Sequence, residues 1–124
     1  MTKKVLIVDD ELNIAISVEF LMRREGFDVS VAKDGEEGLA KIRESRPDLV
    51  LLDVMMPKMD GFQVCSAVRK DPELAGMRIV MLTAKGREAE VEKGLSLGAD
   101  AYIPKPFSTS ELVSKVNALL ESKE

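Results

Sequence analysis

The chain has no histidine among its 124 residues and a single cysteine, Cys65. Without histidine it cannot build a Ser-His-Asp or Cys-His catalytic centre, so any phosphohistidine step must come from a partner. One cysteine excludes an internal disulfide framework and a paired-cysteine zinc site. No apolar stretch is long enough to cross a bilayer, and the first apolar run stops at Asp9, too early for a signal peptide. We therefore expect a cytoplasmic protein that does not bind a membrane.

Charge and size restrict the class of protein further. The net charge of -4 and the pI of about 5.0 argue against a surface that binds nucleic acid directly. Hydrophobic residues make up 45% and charged residues 32%, as in ordinary soluble globular proteins. The length is typical of one domain. We expect a single domain over residues 1–124, with 121–124 as a frayed end or the stub of a linker.

Short apolar runs separated by helical patterns predict the fold. The four runs are Val5–Val8, Leu49–Leu52, Ile79–Leu82 and Ala101–Pro104. Such runs are typical of buried parallel strands, whereas the alternating stretch Phe27–Val31 indicates an edge strand. Asp34 and the pair Ser108 and Glu111 are predicted helix caps, and Val54–Gly61 is expected to be a loop. Because right-handed crossovers place helices on both sheet faces, the sequence predicts a doubly wound α/β fold of five strand–helix units.

Each of the four apolar runs is followed by polar side chains. They are Asp9 with Asp10, then Asp53, Thr83 and Lys105. Ligands of an open parallel sheet bind beyond the carboxyl ends of its strands, so these side chains should converge at one edge. Carboxylates at close range repel one another unless a cation compensates them. We therefore expect a divalent metal site in this crevice.

Oxygen ligands of this kind favour Mg²⁺, which typically uses one or two carboxylates and keeps several waters. Asp10 and Asp53 are the candidates for direct ligands, and Asp9 for a ligand acting through water. A backbone carbonyl just after Asp53, that of Met55, can complete the protein's share. The alternative is that Asp9 and Asp10 cap the first helix, because acidic residues favour helix N-termini. The two roles are compatible in one residue.

The same set of groups suits phosphoryl transfer through an aspartyl phosphate. Asp53 is the expected nucleophile because it stands alone on a central strand. The cation and Lys105 would offset charge on the transferred group, and Thr83 would donate a hydrogen bond to a phosphoryl oxygen.

At this point the motifs resemble those of bacterial response-regulator receiver domains of the chemotaxis-regulator type, over essentially the whole chain. The matching pieces are Ile7–Glu11, Leu52–Pro57, Asp60–Gly61, Leu82–Ala84, Gly98–Asp100 and Lys105–Phe107. Each motif is weak alone, but their order and spacing together are specific. The resemblance implies a flavodoxin-like fold with a sheet of order 2-1-3-4-5. It also implies a signalling switch rather than an enzyme that turns over an external substrate.

The resemblance implies roles for the acidic residues and the lysine. Asp53 would accept a phosphoryl group from a sensor histidine kinase or a histidine phosphotransfer protein, with Mg²⁺ or Mn²⁺ required. Asp9 and Asp10 would form the acidic pair of the metal site. Lys105 would be the lysine of the phosphoryl site, and its bond to Pro106 would be cis.

Thr83 would be the switch hydroxyl and Tyr102 the switch aromatic, which relay phosphorylation to the face made by the fourth helix, fifth strand and fifth helix. The alternative for Tyr102 is an ordinary half-buried aromatic on a strand. Charged residues on this face are candidate partner contacts, although a solvated surface explains them equally well. They are Glu90, Lys93 and Glu111.

Two further positions tune the lifetime of the phosphoryl group in this family, and here they hold Met55 and Lys85. Neither side chain is a carboxylate or amide that would position an attacking water, so we expect slow loss of phosphate; the alternative is that Met55 only packs the loop. The charge pattern through which receivers attached to winged-helix DNA-binding domains commonly dimerise is incomplete at Ala101. A monomer or a phosphorylation-dependent dimer is expected, acting on an effector or output domain that the sequence does not identify.

The sequence argues against two other classes of protein. An aspartate-nucleophile phosphatase would need a general acid two residues beyond Asp53, where Met55 stands. A receiver-like module that only binds would be expected to lack the acceptor or the lysine, yet Asp53 and Lys105 are both present.

Overall fold

The computed structural model describes residues 2–84 and 86–121. The strands are β1 (Lys4–Val8), β2 (Asp28–Ala32), β3 (Leu49–Asp53), β4 (Arg78–Ala84) and β5 (Ala101–Lys105). The helices are α1 (Leu12–Arg24), α2 (Gly35–Ser45), α3 (Gly61–Lys70), α4 (Glu88–Ser96) and α5 (Thr109–Glu121), with a short 3₁₀ helix over Pro72–Leu74 that was not predicted. None of the helices within these ranges is long and apolar enough to cross a membrane.

The strands form one parallel sheet of order β2-β1-β3-β4-β5, which confirms the predicted fold. The apolar residues of β1 and β3 are buried because helices cover both faces of the sheet. Alternate side chains go to opposite faces, where Leu6 and Val8 pack with α2 and α3, and Val5 and Ile7 pack with α1 and α5. The alternating strand, β2, lies at an edge as predicted.

The two predicted helix caps are present. Asp34 begins α2 by accepting a hydrogen bond from the backbone N–H of Glu37 at 2.8 Å. Ser108 and Glu111 form a capping box at the start of α5, with hydrogen bonds of 3.0 and 3.1 Å.

A further capping box, not predicted from the sequence, begins α3. The Asp60 carboxylate accepts from the backbone N–H of Gln63, and the Gln63 side chain accepts from the backbone N–H of Asp60, both at 2.9 Å. The expected loop therefore ends at Asp60, because Gly61 is already helical. This cap fixes the direction in which the chain leaves the carboxyl edge of the sheet.

Candidate functional site

The carboxyl ends of the strands bring the predicted site residues to one edge of the sheet. Asp53 and Lys105 are the last residues of β3 and β5, and Thr83 is the penultimate residue of β4. Asp9 directly follows β1 and is continuous with the sheet, since its N–H donates to the Ala32 carbonyl at 3.1 Å. The predicted convergence is therefore present, although Asp53, Thr83 and Lys105 belong to the strands rather than following them.

The three aspartates form a compact acidic cluster. One carboxylate oxygen from each of Asp9, Asp10 and Asp53 lies within 4.8 Å of the others, and Asp10 is the exposed member. Asp9 Oδ1 accepts the N–H of Glu11 at 2.9 Å, but Glu11 is itself the N-cap residue of α1, and no side-chain cap bond is present at this helix start, so the alternative that Asp9 and Asp10 cap α1 is wrong. Asp9 Oδ2 is buried, and its contact among the described residues is an ion pair with the Lys105 ammonium, 3.1 Å away.

Lys105 is the cation that partly compensates this cluster. Its Nζ lies 3.1 Å from Asp9 Oδ2 and 3.3 Å from Asp53 Oδ1. It also donates a hydrogen bond of 3.1 Å to Glu11 Oε1, a residue to which the sequence analysis gave no role. Burial of the ammonium opposes its charge, but the carboxylates of Asp53, Glu11 and Asp9 outweigh burial and raise the pKa of Lys105.

The contact with Lys105 only partly compensates the negative charge of the Asp53 carboxylate. Burial of its carboxyl, together with the nearby charge of Asp9, raises the pKa of Asp53 to about 7, while Lys105 opposes the shift. A hard divalent cation fits such a cluster, because it would lie among oxygen ligands, including the buried Asp9 Oδ2, whose contact among the described residues is the ion pair with Lys105. The residues present therefore match the donor set that Mg²⁺ prefers.

The loop after β3 is held tightly beside the cluster. The N–H of Val54 donates to the Leu82 carbonyl at 3.2 Å, and the N–H of Gly61 donates to the Val54 carbonyl at 2.9 Å. Met55, between them, is 68% exposed, which argues against the alternative that Met55 serves to pack this loop. Lys85, the other predicted lifetime position, lies outside the described residues.

Two adjacent cavities open at this edge. The first, of about 170 Å³, is lined by Asp53, Thr83 and Lys105 among others. The second, of about 530 Å³, lies between β4, β5 and α4 and is lined by Thr83 and Tyr102 among others. The Tyr102 side chain is 41% exposed beside this second cavity. Thr83, which is 2% exposed, thus faces the space that separates Asp53 from Tyr102.

Two features of the cavity at Asp53 were not predicted from the sequence. Arg87, which immediately precedes α4, lines this cavity although no role was predicted for it. Glu90 was expected to be exposed on the surface for partners, but its side chain is only 19% exposed and lines the same cavity. Lys93 and Glu111 are exposed as expected. No short motif predicts that the Arg87 and Glu90 side chains line this cavity, because their position depends on how α4 packs against the sheet.

Comparisons with known proteins agree with this architecture. The family model of the response regulator receiver domain matches residues 5–117. A protein assigned as a response regulator from Chloroflexus aurantiacus J-10-fl is similar in structure, with a TM-score of 0.94 and 37% identity over 98% of this chain and 99% of that chain. The chemotaxis response regulator CheY4 of Vibrio cholerae has a TM-score of 0.91 and 34% identity over 96% of this chain and 99% of that chain.

A third similar structure is part of a larger protein. NtrX from Brucella abortus matches 99% of this chain with a TM-score of 0.91 and 28% identity, but the match covers 28% of the NtrX chain. The fold and the acidic site define the class as a phosphorylation-dependent signalling module of two-component systems. The chain belongs to the response regulator receiver domain family. Receiver domains bind Mg²⁺ at an acidic pocket, interact with histidine kinases or phosphotransfer proteins, and are switches rather than substrate-turnover enzymes.

Proposed function

We propose that this protein is a switch in which Asp53 accepts a phosphoryl group from a phosphohistidine of a sensor kinase or phosphotransfer protein. The observation that carries the proposal is the contact of 3.3 Å between Asp53 and Lys105 beside two further aspartates, at a cavity of about 170 Å³. A buried carboxylate with a cation at its side and space in front of it is placed for attack on phosphorus.

In this reaction an Asp53 carboxylate oxygen attacks the phosphorus atom and forms an O–P bond. The N–P bond of the phosphohistidine breaks, and its electron pair stays on the histidine nitrogen. The donor histidine must belong to the partner, since this chain has none. Lys105 offsets charge on the phosphoryl oxygens, and the Thr83 hydroxyl donates a hydrogen bond to one of them.

The acidic cluster supplies the metal ligands in this proposal. Asp10 and Asp53 bind the ion directly, Asp9 acts through water, and the Met55 backbone carbonyl completes the protein's share. Mg²⁺ or Mn²⁺, when bound, supplies positive charge that offsets the repulsion between the carboxylates and the incoming phosphoryl group.

The response passes from Asp53 on the central strand β3 to β5, the strand at one edge of the sheet. Thr83 moves towards the phosphoryl group, and Tyr102 turns inward into the space that opens. The conformation of the face made by α4, β5 and α5 then changes, and an effector or an output domain recognises the altered face. Met55 and Lys85, at the two sequence positions that tune phosphoryl lifetime in this family, offer no carboxylate or amide to position water, so loss of phosphate is slow.

We further propose that residues 1–124 form a single receiver domain that works in the cytoplasm without binding nucleic acid or membrane directly. Its state is a monomer or a phosphorylation-dependent dimer.

Intact mass after incubation with acetyl phosphate, with and without Mg²⁺, tests this function. Wild-type protein should gain a single phosphoryl adduct that requires Mg²⁺, and Asp53→Asn should gain none. Asp28→Asn is the matched control, because Asp28 is exposed at the opposite end of the sheet and should be phosphorylated normally. A wild-type protein that takes no phosphoryl group from this donor or from phosphoramidate would contradict the proposal and favour a module that only binds.

A further inference from the structure

One cation at the cavity beside Asp53 has no part in the chemistry proposed above. Arg87 lines both the cavity of about 170 Å³ at Asp53 and the cavity of about 530 Å³ beside Tyr102. It shares this position with Thr83 and Ala84, which belong to β4, whereas Arg87 is the residue from which α4 starts. The Arg87 side chain therefore lies beside both the proposed phosphoryl site and the start of α4.

The present contact of Arg87 is weak. Its Nη1 lies 3.5 Å from Glu90 Oε2, and the Arg87 side chain is 62% exposed. Exposed ion pairs of this kind contribute little to stability. The start of α4, like that of α1, has no side-chain cap, whereas α2, α3 and α5 each begin with one. The arginine and the first turn beside it can therefore rearrange at small cost.

The charges around the cavity favour such a rearrangement after phosphorylation. Lys105 is already shared among the carboxylates of Asp9, Glu11 and Asp53, at 3.1 to 3.3 Å. A phosphoryl group adds up to about two negative charges and three acceptor oxygens. It would repel the Glu90 carboxylate on the cavity wall and attract the guanidinium, whose planar fork matches phosphate oxygens.

We propose that Arg87 binds the phosphoryl group. Its guanidinium leaves Glu90, binds phosphoryl oxygens on Asp53 and so links the first turn of α4 to the site. The inference rests on the proposed function, because it needs a phosphorylated Asp53. It adds a route from the phosphoryl group to α4 that is separate from Thr83. Arg87 is a ligand of the product in this scheme, and it takes no part in breaking the N–P bond.

The test uses beryllium trifluoride, which mimics a phosphoryl group on a carboxylate, titrated into the whole chain with Mg²⁺. In NMR spectra the Arg87 Nε–Hε resonance, assigned by its loss in Arg87→Gln, should shift when the adduct forms. Arg87→Gln should raise the half-saturating concentration about three- to tenfold, as expected for a lost charged hydrogen bond with solvent exposure. Arg87→Lys should recover part of this loss, since it keeps the charge but not the fork.

Glu90→Gln separates phosphoryl binding from a merely structural ion pair. If the Arg87–Glu90 ion pair were merely structural, losing it would change the half-saturating concentration of beryllium trifluoride in the same direction in Arg87→Gln and Glu90→Gln. The proposal requires opposite signs, because Glu90→Gln frees the arginine and removes a repelling carboxylate, which lowers half-saturation. Arg24→Gln is the charge-matched control, at the far end of α1 from the site, and should titrate as wild type.

The outcomes also separate this inference from the proposed function. A wild-type protein that forms no adduct while Asp53 is intact would overturn both. A wild-type protein that forms the adduct, with an unmoved Arg87 resonance and unchanged half-saturation in Arg87→Gln, would overturn the role of Arg87 alone.

Discussion

Gly61 lies so close to Asp53 that a Cβ at position 61 would overlap the Asp53 carbonyl oxygen. The same Cβ would lie 3.0 Å from the Cα of Val54. Both neighbours are backbone atoms, which cannot move aside as the end of a flexible side chain can. The first residue of α3 therefore sets the position of the chain that carries Asp53, and only glycine allows this approach.

Gly61→Ala should displace the end of β3. We expect a loss of about 1–3 kcal/mol in the free energy of unfolding, as for other overpacked sites, and weaker Mg²⁺ binding because Asp53 moves. Urea unfolding and a Mg²⁺ titration measure the two effects. Gly76→Ala is the matched control, since its Cβ would meet nothing within 4 Å, and its stability should change by less than about 0.5 kcal/mol. Equal losses in the two variants would refute the steric explanation.

The ionisation of Asp53 should make the metal-free protein less stable as pH rises. Its pKa is about 7 in the folded chain, against an ordinary 3.8, so the folded state binds the proton more tightly than the unfolded state. Stability from this group is complete below about pH 4 and is lost as pH rises through about 7. Asp53→Asn lacks this titration and should be more stable than wild type at pH 8 without metal, by about 1–2 kcal/mol after allowance for solvent screening.

Thermal unfolding between pH 4 and pH 8 in a chelator checks the effect of Asp53. Added Mg²⁺ should stabilise wild type at pH 8 more than Asp53→Asn, because the ion restores the missing compensation. Parallel stability profiles for wild type and variant across this range would show that the carboxyl of Asp53 has no raised pKa.

The residues at the carboxyl ends of the strands could be predicted from the sequence because the pattern that identifies them is local. Each apolar run identified a buried strand, and the residue after the run identified its carboxyl end, so Asp53, Thr83 and Lys105 were placed together without knowledge of the loops. The order of the strands, by contrast, came from resemblance to a family, since periodicity alone does not order parallel strands.

The parts that were missed depend on side-chain direction and on contacts distant in sequence. Glu11 was visible in the motif after Asp10, but its contact with Lys105 joins positions 94 residues apart. Glu90 and Arg87 reach the cavity through the approach of α4, which no pattern in the helix reveals. The Asp60 and Gln63 capping box had a sequence signal, an acid followed three residues later by glutamine, and could have been predicted.

Lys105→Gln should strengthen metal binding while weakening the metal-free fold. The ammonium lies 3.1 Å from Asp9 Oδ2 and 3.3 Å from Asp53 Oδ1, so its loss removes a charge that repels Mg²⁺. We expect the affinity for Mg²⁺ to rise about three- to tenfold and the free energy of unfolding without metal to fall by about 1–3 kcal/mol. Calorimetry and urea unfolding measure these changes, with Lys115→Gln on the exposed side of α5 as control. Weaker Mg²⁺ binding in Lys105→Gln would mean that the lysine organises the ligands rather than competing with the ion.

Tyr102 offers a direct optical test of the switch, because the chain has one tyrosine and no tryptophan. Its side chain is 41% exposed here, so acrylamide should quench its fluorescence readily. With beryllium trifluoride and Mg²⁺, inward rotation should reduce quenching in wild type but not in Asp53→Asn. Thr83→Ala should still form the adduct yet keep a readily quenched tyrosine, and Thr83→Ser should restore protection because it returns the hydroxyl. If Tyr102 is protected from quenching as well in Thr83→Ala as in wild type, its rotation does not depend on the Thr83 hydroxyl. That result would refute the relay.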